Sequence, residues 1–155
     1  MPGDQAIQYR ETAIRTANPL ELVVMLYEGA IQSLRQAQTC MLGKDIAGRS
    51  RAVNRATAMI SELQASLSFE HGGEIATSLD RLYTYMKERI FKGNVEQDPK
   101  YLAEVVRLLE NLNSAWSELA RVAGAKARAA ERPRAAVQVA GNAPSTAYAS
   151  LNISG

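Results

Sequence analysis

A chain of 155 residues with one cysteine fits a single domain held by burial alone, because a domain of this size removes about two thirds of its unfolded surface from water and Cys40 can close no internal disulfide. The net charge of +2 is unevenly spread: residues 1–123 carry 14 basic and 15 acidic side chains, while residues 124–155 add Lys126, Arg128, Arg132 and Arg134 against Glu131 alone. A near-neutral body argues against binding nucleic acid over a basic face, and no apolar run reaches the ~20 residues that cross a bilayer, so the chain is expected to be soluble and cytoplasmic.

The first 17 residues read as an arm. Within residues 6–16 only Ile7, Tyr9 and Ile14 are sizeable apolar groups, enough to dock on a domain and too few to build one. Asn18-Pro19-Leu20-Glu21 then supplies a cap, a proline suited to the first helical position and a capping-box glutamate. Leu20, Val23, Tyr27, Ala30, Leu34, Ala37 and Met41 follow at helical spacing, and Gly43, tolerant of left-handed backbone angles, marks the end.

A second helix starts near Asp45 as its cap and carries Ile46, Val53, Ala56, Ile60, Leu63 and Leu67 on one side, with Gly48 weakening its first turn. Residues 68–73 read as a loop. The third helix begins at Gly73 and Glu74, presents Ile75, Ala76, Leu79, Leu82, Tyr83, Met86 and Ile90, and meets a stop signal at Gly93-Asn94. Asp98-Pro99 opens the fourth, whose stripe is Leu102, Val105, Leu109, Leu112, Trp116 and Leu119, with Gly124 at its end.

Helices of roughly 20 residues joined by short loops lie antiparallel and bury their stripes together. The predicted fold is therefore all-α: an antiparallel four-helix bundle over residues 18–123, preceded by the 1–17 arm. The Ala/Arg-rich residues 124–155, with Pro133 and Pro144 and no periodic apolar face, are expected to form a flexible, disordered tail.

Catalytic chemistry finds little purchase. A di-iron bundle needs inward glutamates and two Glu-x-x-His pairs, and this chain has one histidine, His71, in the 68–73 loop. No phosphate-binding glycine loop, nucleophile elbow or Cys-x-x-Cys pair is present, so no cofactor, metal or catalytic residue is assigned. Glu104, Glu110 and Glu118 read as a solvated face. What the stripes leave over is apolar: at about 100° per residue, Leu22 and Met25 point away from the core side of the first helix, as do Tyr85 and Phe91 on the third and, less so, Val106 on the fourth. Such residues are either ordinary surface or a groove for a partner's amphipathic helix.

Specific residues tip that balance. Residues 16–30 (TANPLELVVMLYEGA), Glu62-Leu63 with Leu67, Gly72-Gly73-Glu74-Ile75-Ala76, Leu79 and Leu82-Tyr83-Thr84-Tyr85-Met86 resemble the pattern of the FliS family, the flagellin-specific export chaperones. Leu108-Leu109, Ala115-Trp116 and Tyr9 match as well, in order over about residues 7–119. Glu28 stands where an Asp is more usual and Asn113 where an Arg is common; the tail inherits nothing from the resemblance.

The resemblance implies a cytoplasmic chaperone that binds the disordered C-terminal segment of flagellin, prevents premature polymerisation and presents the client to the flagellar export apparatus. Its client-contacting residues are then expected to be Leu22, Met25, Tyr83, Tyr85 and Val106, at outward or edge positions on matched helices. Ile7 and Tyr9 are expected to cap the groove until the client arrives. No nucleic acid or membrane insertion is expected, and a homodimer of the client-free chain is left open. The rival reading is a non-enzymatic structural or regulatory bundle whose basic tail contacts acidic lipid or RNA.

Overall fold

The computed structural model describes residues 19–140, with side chains to residue 130; Ile7 and Tyr9 of the arm lie outside the described residues, as do residues 141–155. Regular structure among the described residues is entirely helical: α1 (Pro19–Leu42), α2 (Ile46–Ala65), α3 (Phe69–Glu96) and α4 (Pro99–Ala140). The helices form an antiparallel bundle through Ser117, and Glu118 onward belongs to a second unit.

Polar pairs bridge each seam around the bundle. Arg55 donates to Gln36 between α2 and α1, and Gln64 donates to Asp80 and Thr84 between α2 and α3. Arg89 pairs with Glu104 between α3 and α4, while Arg35–Glu110 and Gln38 to the Pro99 carbonyl tie α1 to α4. Inside this ring Leu34, Ile60, Leu63, Met86, Leu102 and Leu109 are essentially inaccessible to solvent, each stabilising the fold by about 1.5–3 kcal/mol through burial.

The helix ends differ from expectation in instructive ways. α1 does stop at Leu42, yet the left-handed residue is Lys44 (φ 57°), not Gly43. Asp45 caps α2 as predicted, its Oδ1 accepting from the Gly48 N–H at 3.0 Å. Gly48 is less a weak point than a fit: a Cβ there would lie 2.8 Å from Cys40 Sγ.

The expected 68–73 loop is instead a helical turn capped by Ser68 Oγ, which accepts from the His71 N–H. Gly73 kinks it with φ 50° and ψ −124°, so the straight run of α3 starts at Glu74, where the sequence placed it. Gly93-Asn94 does not stop α3, which runs to Glu96 and closes on Gln97 at φ 55°. Gly93 serves packing there: a Cβ would come within 2.9 Å of Tyr101 Cβ and 3.2 Å of the Asp98 carbonyl.

α4 also continues past Gly124 and Pro133 to Ala140. Alanine-rich sequence has high helix propensity without needing an apolar stripe, which is why periodicity missed this stretch. In the second unit Glu118 and Arg121 support it locally through hydrogen bonds of 2.6 and 3.1 Å. Three stripe residues assigned to the core, Ile46, Ile75 and Leu119, are exposed because each sits near a helix end or beyond the bundle unit.

Candidate functional site

At the centre of the bundle, α1 and α3 contribute Tyr27 and Tyr83, whose hydroxyls meet at 2.6 Å. Their rings are tilted with centroids 6.4 Å apart, and the Trp116 ring of α4 lies 6.5 Å from that of Tyr27. Burial is the main reason both phenols have pKa values raised above the ordinary tyrosine range. A neutral hydroxyl pair suits a dry core, since a phenolate there would lack solvation.

A cavity of about 310 Å³ opens beside this cluster, at the end where α1 and α3 begin. Val23, Leu67, Ile75, Leu79, Tyr83 and Trp116 supply its apolar wall, while Ser68 and His71 border it. The kink at Gly73 turns the chain between His71 and Ile75 along this edge. Ile75 is 70 % exposed, so an apolar side chain faces water at the rim.

The residues expected to contact a partner are distributed over different surroundings. Met25 is 43 % exposed on α1, with half-buried Leu22 one turn earlier. Tyr85 is 41 % exposed on the α3–α4 seam. Tyr83 and Val106 do not occupy the outward or edge positions expected of them: both are buried, Tyr83 by its partnership with Tyr27 and Val106 by packing in the same core. A wheel of 100° per residue sees one helix at a time and not the neighbour that covers it.

Tyr85 belongs to a built cluster. Its hydroxyl donates to Glu104 Oε1, and Arg89 Nη2 donates to Glu104 Oε2 at 2.9 Å. The Arg89 guanidinium also lies 5.7 Å from the Tyr85 ring centroid and 4.5 Å from that of Tyr101, with Lys92 Nζ 5.4 Å from the latter. These contacts hold Glu104 below the usual carboxylate range, through the Tyr85 hydrogen bond first and the Arg89 bond second. The Glu104 bond in turn raises the Tyr85 phenol. Arg89 Nε is buried without a hydrogen-bond partner.

Sequence reasoning missed the exposed apolar residues at the helix ends, Leu42, Phe69 and Val95, and placed Ile46 and Ile75 in the core. Position beside a chain reversal was the available signal. Among the described residues no three of His, Cys, Asp and Glu converge on a metal-sized site, and no helix is long and apolar enough to cross a membrane. Half-buried Cys40 lies with Sγ 3.9 Å from Asp45 Oδ2 at the α1–α2 corner. The chemistry on offer is apolar contact framed by hydrogen bonds.

Known proteins align over this bundle. The family described as flagellar protein FliS matches residues 3–123. The flagellar secretion chaperone FliS of Salmonella typhimurium is 36 % identical over 110 residues, covering 70 % of this chain and 82 % of that protein. FliSB of Pseudomonas aeruginosa, also a flagellar secretion chaperone, is 35 % identical over 113 residues, covering 70 % and 90 %. A crystal structure of a bacterial flagellar chaperone superposes with a TM-score of 0.62 at 18 % identity, covering 77 % of this chain and 97 % of its own; at that identity it speaks for the shared fold.

Proposed function

We propose that this chain, which belongs to the FliS family and is a flagellar secretion chaperone, works in the cytoplasm by holding the C-terminal segment of flagellin. Bound there, the segment cannot polymerise before it is passed to the flagellar export apparatus. The observation that carries the reading is the exposure of Met25 and Tyr85, 43 % and 41 %, on a bundle whose core is filled without them. A disordered segment with an amphipathic pattern folds when it gains such a surface, and its ordering entropy offsets part of the contact energy, leaving a complex that can be released.

In this arrangement Leu22 and Met25 offer one contact on α1 and Tyr85 another on α3, with Tyr83 and Val106 shaping the surface from beneath. Ile7 and Tyr9 act as a cap on the client-free protein. The arm joins α1 at Pro19, close in sequence to Val23 on the cavity wall. The ten residues from Tyr9 to Pro19 can span up to roughly 33 Å, enough to bring both side chains to the cavity. The exposed apolar groups would equally support a homodimer when no client is present.

The test is co-purification and calorimetric titration with flagellin that retains or lacks its C-terminal segment. Binding should require the segment, and Met25→Glu should weaken it while far-ultraviolet circular dichroism stays unchanged. Normal binding by Met25→Glu would remove the α1 surface from the model of the complex. Deleting residues 1–15 should speed client association; unchanged rate and affinity would rule out the cap.

A further inference from the structure

Glu104 accepts one hydrogen bond on each oxygen, and one donor of its cluster, Arg89 Nε, is left unmet. Oε2 accepts from Arg89 Nη2, while Oε1 is taken by the Tyr85 hydroxyl. An arginine that offers both Nε and Nη2 to a carboxylate makes two parallel bonds, one from each nitrogen. Arg89 makes one, from Nη2, while its Nε is shielded from solvent and has no acceptor. An unmet buried donor is a standing penalty on the free protein.

Resting on the reading that Tyr85 contacts the client, we infer that Tyr85 is a latched binding residue. In the client-free protein Glu104 holds its hydroxyl; when the client engages the ring, Tyr85 leaves Glu104, and the freed Oε1 closes the two-bond fork on Arg89 Nε. The exchange replaces one hydrogen bond to the carboxylate with another and satisfies the orphaned donor, so unlatching Tyr85 costs less than the outright loss of a bond to a charged group. Tyr101 keeps the guanidinium in place during the exchange, since its ring centroid is nearer to Arg89 than that of Tyr85, 4.5 against 5.7 Å. Tyr101 is itself fixed by the close approach of Gly93. Arg89 is thus a positioning residue that sets how readily Tyr85 becomes available.

Neighbouring charges do not substitute for it. Lys92 is engaged with the Tyr101 ring, and Arg107 acts on Glu104 through its field with no hydrogen bond to it. Lysine in place of Arg89 keeps the charge and loses Nε, which makes it the discriminating variant.

The experiment is a double-mutant cycle on the full chain, with affinity for the flagellin C-terminal segment measured by calorimetry. Tyr85→Phe keeps the ring and abolishes the latch, and should bind several-fold more tightly. Arg89→Lys should weaken binding by about tenfold when Tyr85 is present, the size of one hydrogen bond to a charged group, and hardly at all in the Tyr85→Phe background. Equal effects of Arg89→Lys in both backgrounds, or weaker binding by Tyr85→Phe, would overturn the latch. Should Arg89→Lys fail to fold, Glu104→Ala completes the cycle, because it leaves the Tyr85 hydroxyl no acceptor and the gain from Tyr85→Phe should vanish beside it; a gain that persists overturns the latch too. Tyr85→Ala separates the two levels. If it weakens binding but the cycle shows no coupling, the contact stands and the latch falls, whereas unchanged binding by Tyr85→Ala removes the contact itself.

Discussion

Tyr27 and Tyr83, 56 residues apart in sequence, join α1 to α3 across the bundle by a hydroxyl contact of 2.6 Å. These helices are not sequence neighbours, so the contact ties together segments that local structure alone does not bring side by side. Each phenol is the other's solution to being buried.

Removing the Tyr27 hydroxyl strands that of Tyr83, whereas Tyr27 keeps a hydrogen bond with Trp116 when Tyr83 loses its own. Tyr27→Phe should destabilise the bundle by about 1–3 kcal/mol, the cost of an unmet buried polar group, and Tyr83→Phe by less. The double variant should cost clearly less than the sum of the two, since neither hydroxyl is then left alone. Urea unfolding of the four proteins measures the coupling. Strict additivity would mean that the hydroxyls are satisfied elsewhere.

The same pair sets an alkaline limit. Burial raises both phenols, so the folded state resists losing their protons while the unfolded chain ionises near pH 10. The sign follows from the raised folded pKa: this contribution is whole below about pH 10 and is lost as pH rises above it. Tyrosinate absorbance should show two of the six tyrosines titrating only together with loss of helical circular dichroism. In the double Phe variant that late step should be missing.

Gly93 was legible in the sequence as a helix stop and is instead a contact. Ala in its place would bring a Cβ to 2.9 Å from Tyr101 Cβ, with the Asp98 carbonyl at 3.2 Å, and backbone cannot move aside cheaply. Gly93→Ala should cost about 1–3 kcal/mol in thermal or urea unfolding, as overpacking does. Gly124→Ala, where an added Cβ meets nothing within 4 Å, should be neutral or stabilising.

That reversal shows where sequence reading succeeds. Helical spacing of Leu34, Ile60, Leu63, Met86 and Leu109 identified core residues because burial in a bundle repeats with the helix. Asp45 and Pro99 were readable because capping is local. Tyr83 was legible as part of the third helix's apolar face and is buried there, whereas Gly93 and Val106 were misread because their environment comes from another helix, and a wheel drawn for one helix does not contain it. Past Gly124 the helix runs on through alanine-rich residues, whose propensity gives no apolar stripe for periodicity to find. The Tyr85, Arg89, Tyr101 and Glu104 cluster likewise needed the α3–α4 seam; only the outward position of Tyr85 was visible beforehand.

Glu104 gives the acid counterpart of the tyrosine limit. The Tyr85 hydroxyl, then the Arg89 guanidinium, lower its pKa below the carboxylate value of 4.5. A group depressed in the folded state contributes stability that is whole above its unfolded pKa and disappears as pH falls through the folded one. From about pH 6 downward the unaltered protein should thus lose more stability than Glu104→Gln, whose amide does not titrate. Glu118, also lowered by its bond to Arg121, offers the control: the pair is exposed and lies in the second unit, so Glu118→Gln should leave the acid dependence of the bundle nearly unchanged. Parallel acid titrations followed by circular dichroism compare the slopes. If Glu104→Gln and the unaltered protein lose stability with the same slope, then the seam does not hold the carboxylate in the charged state that its contacts with Tyr85 and Arg89 require.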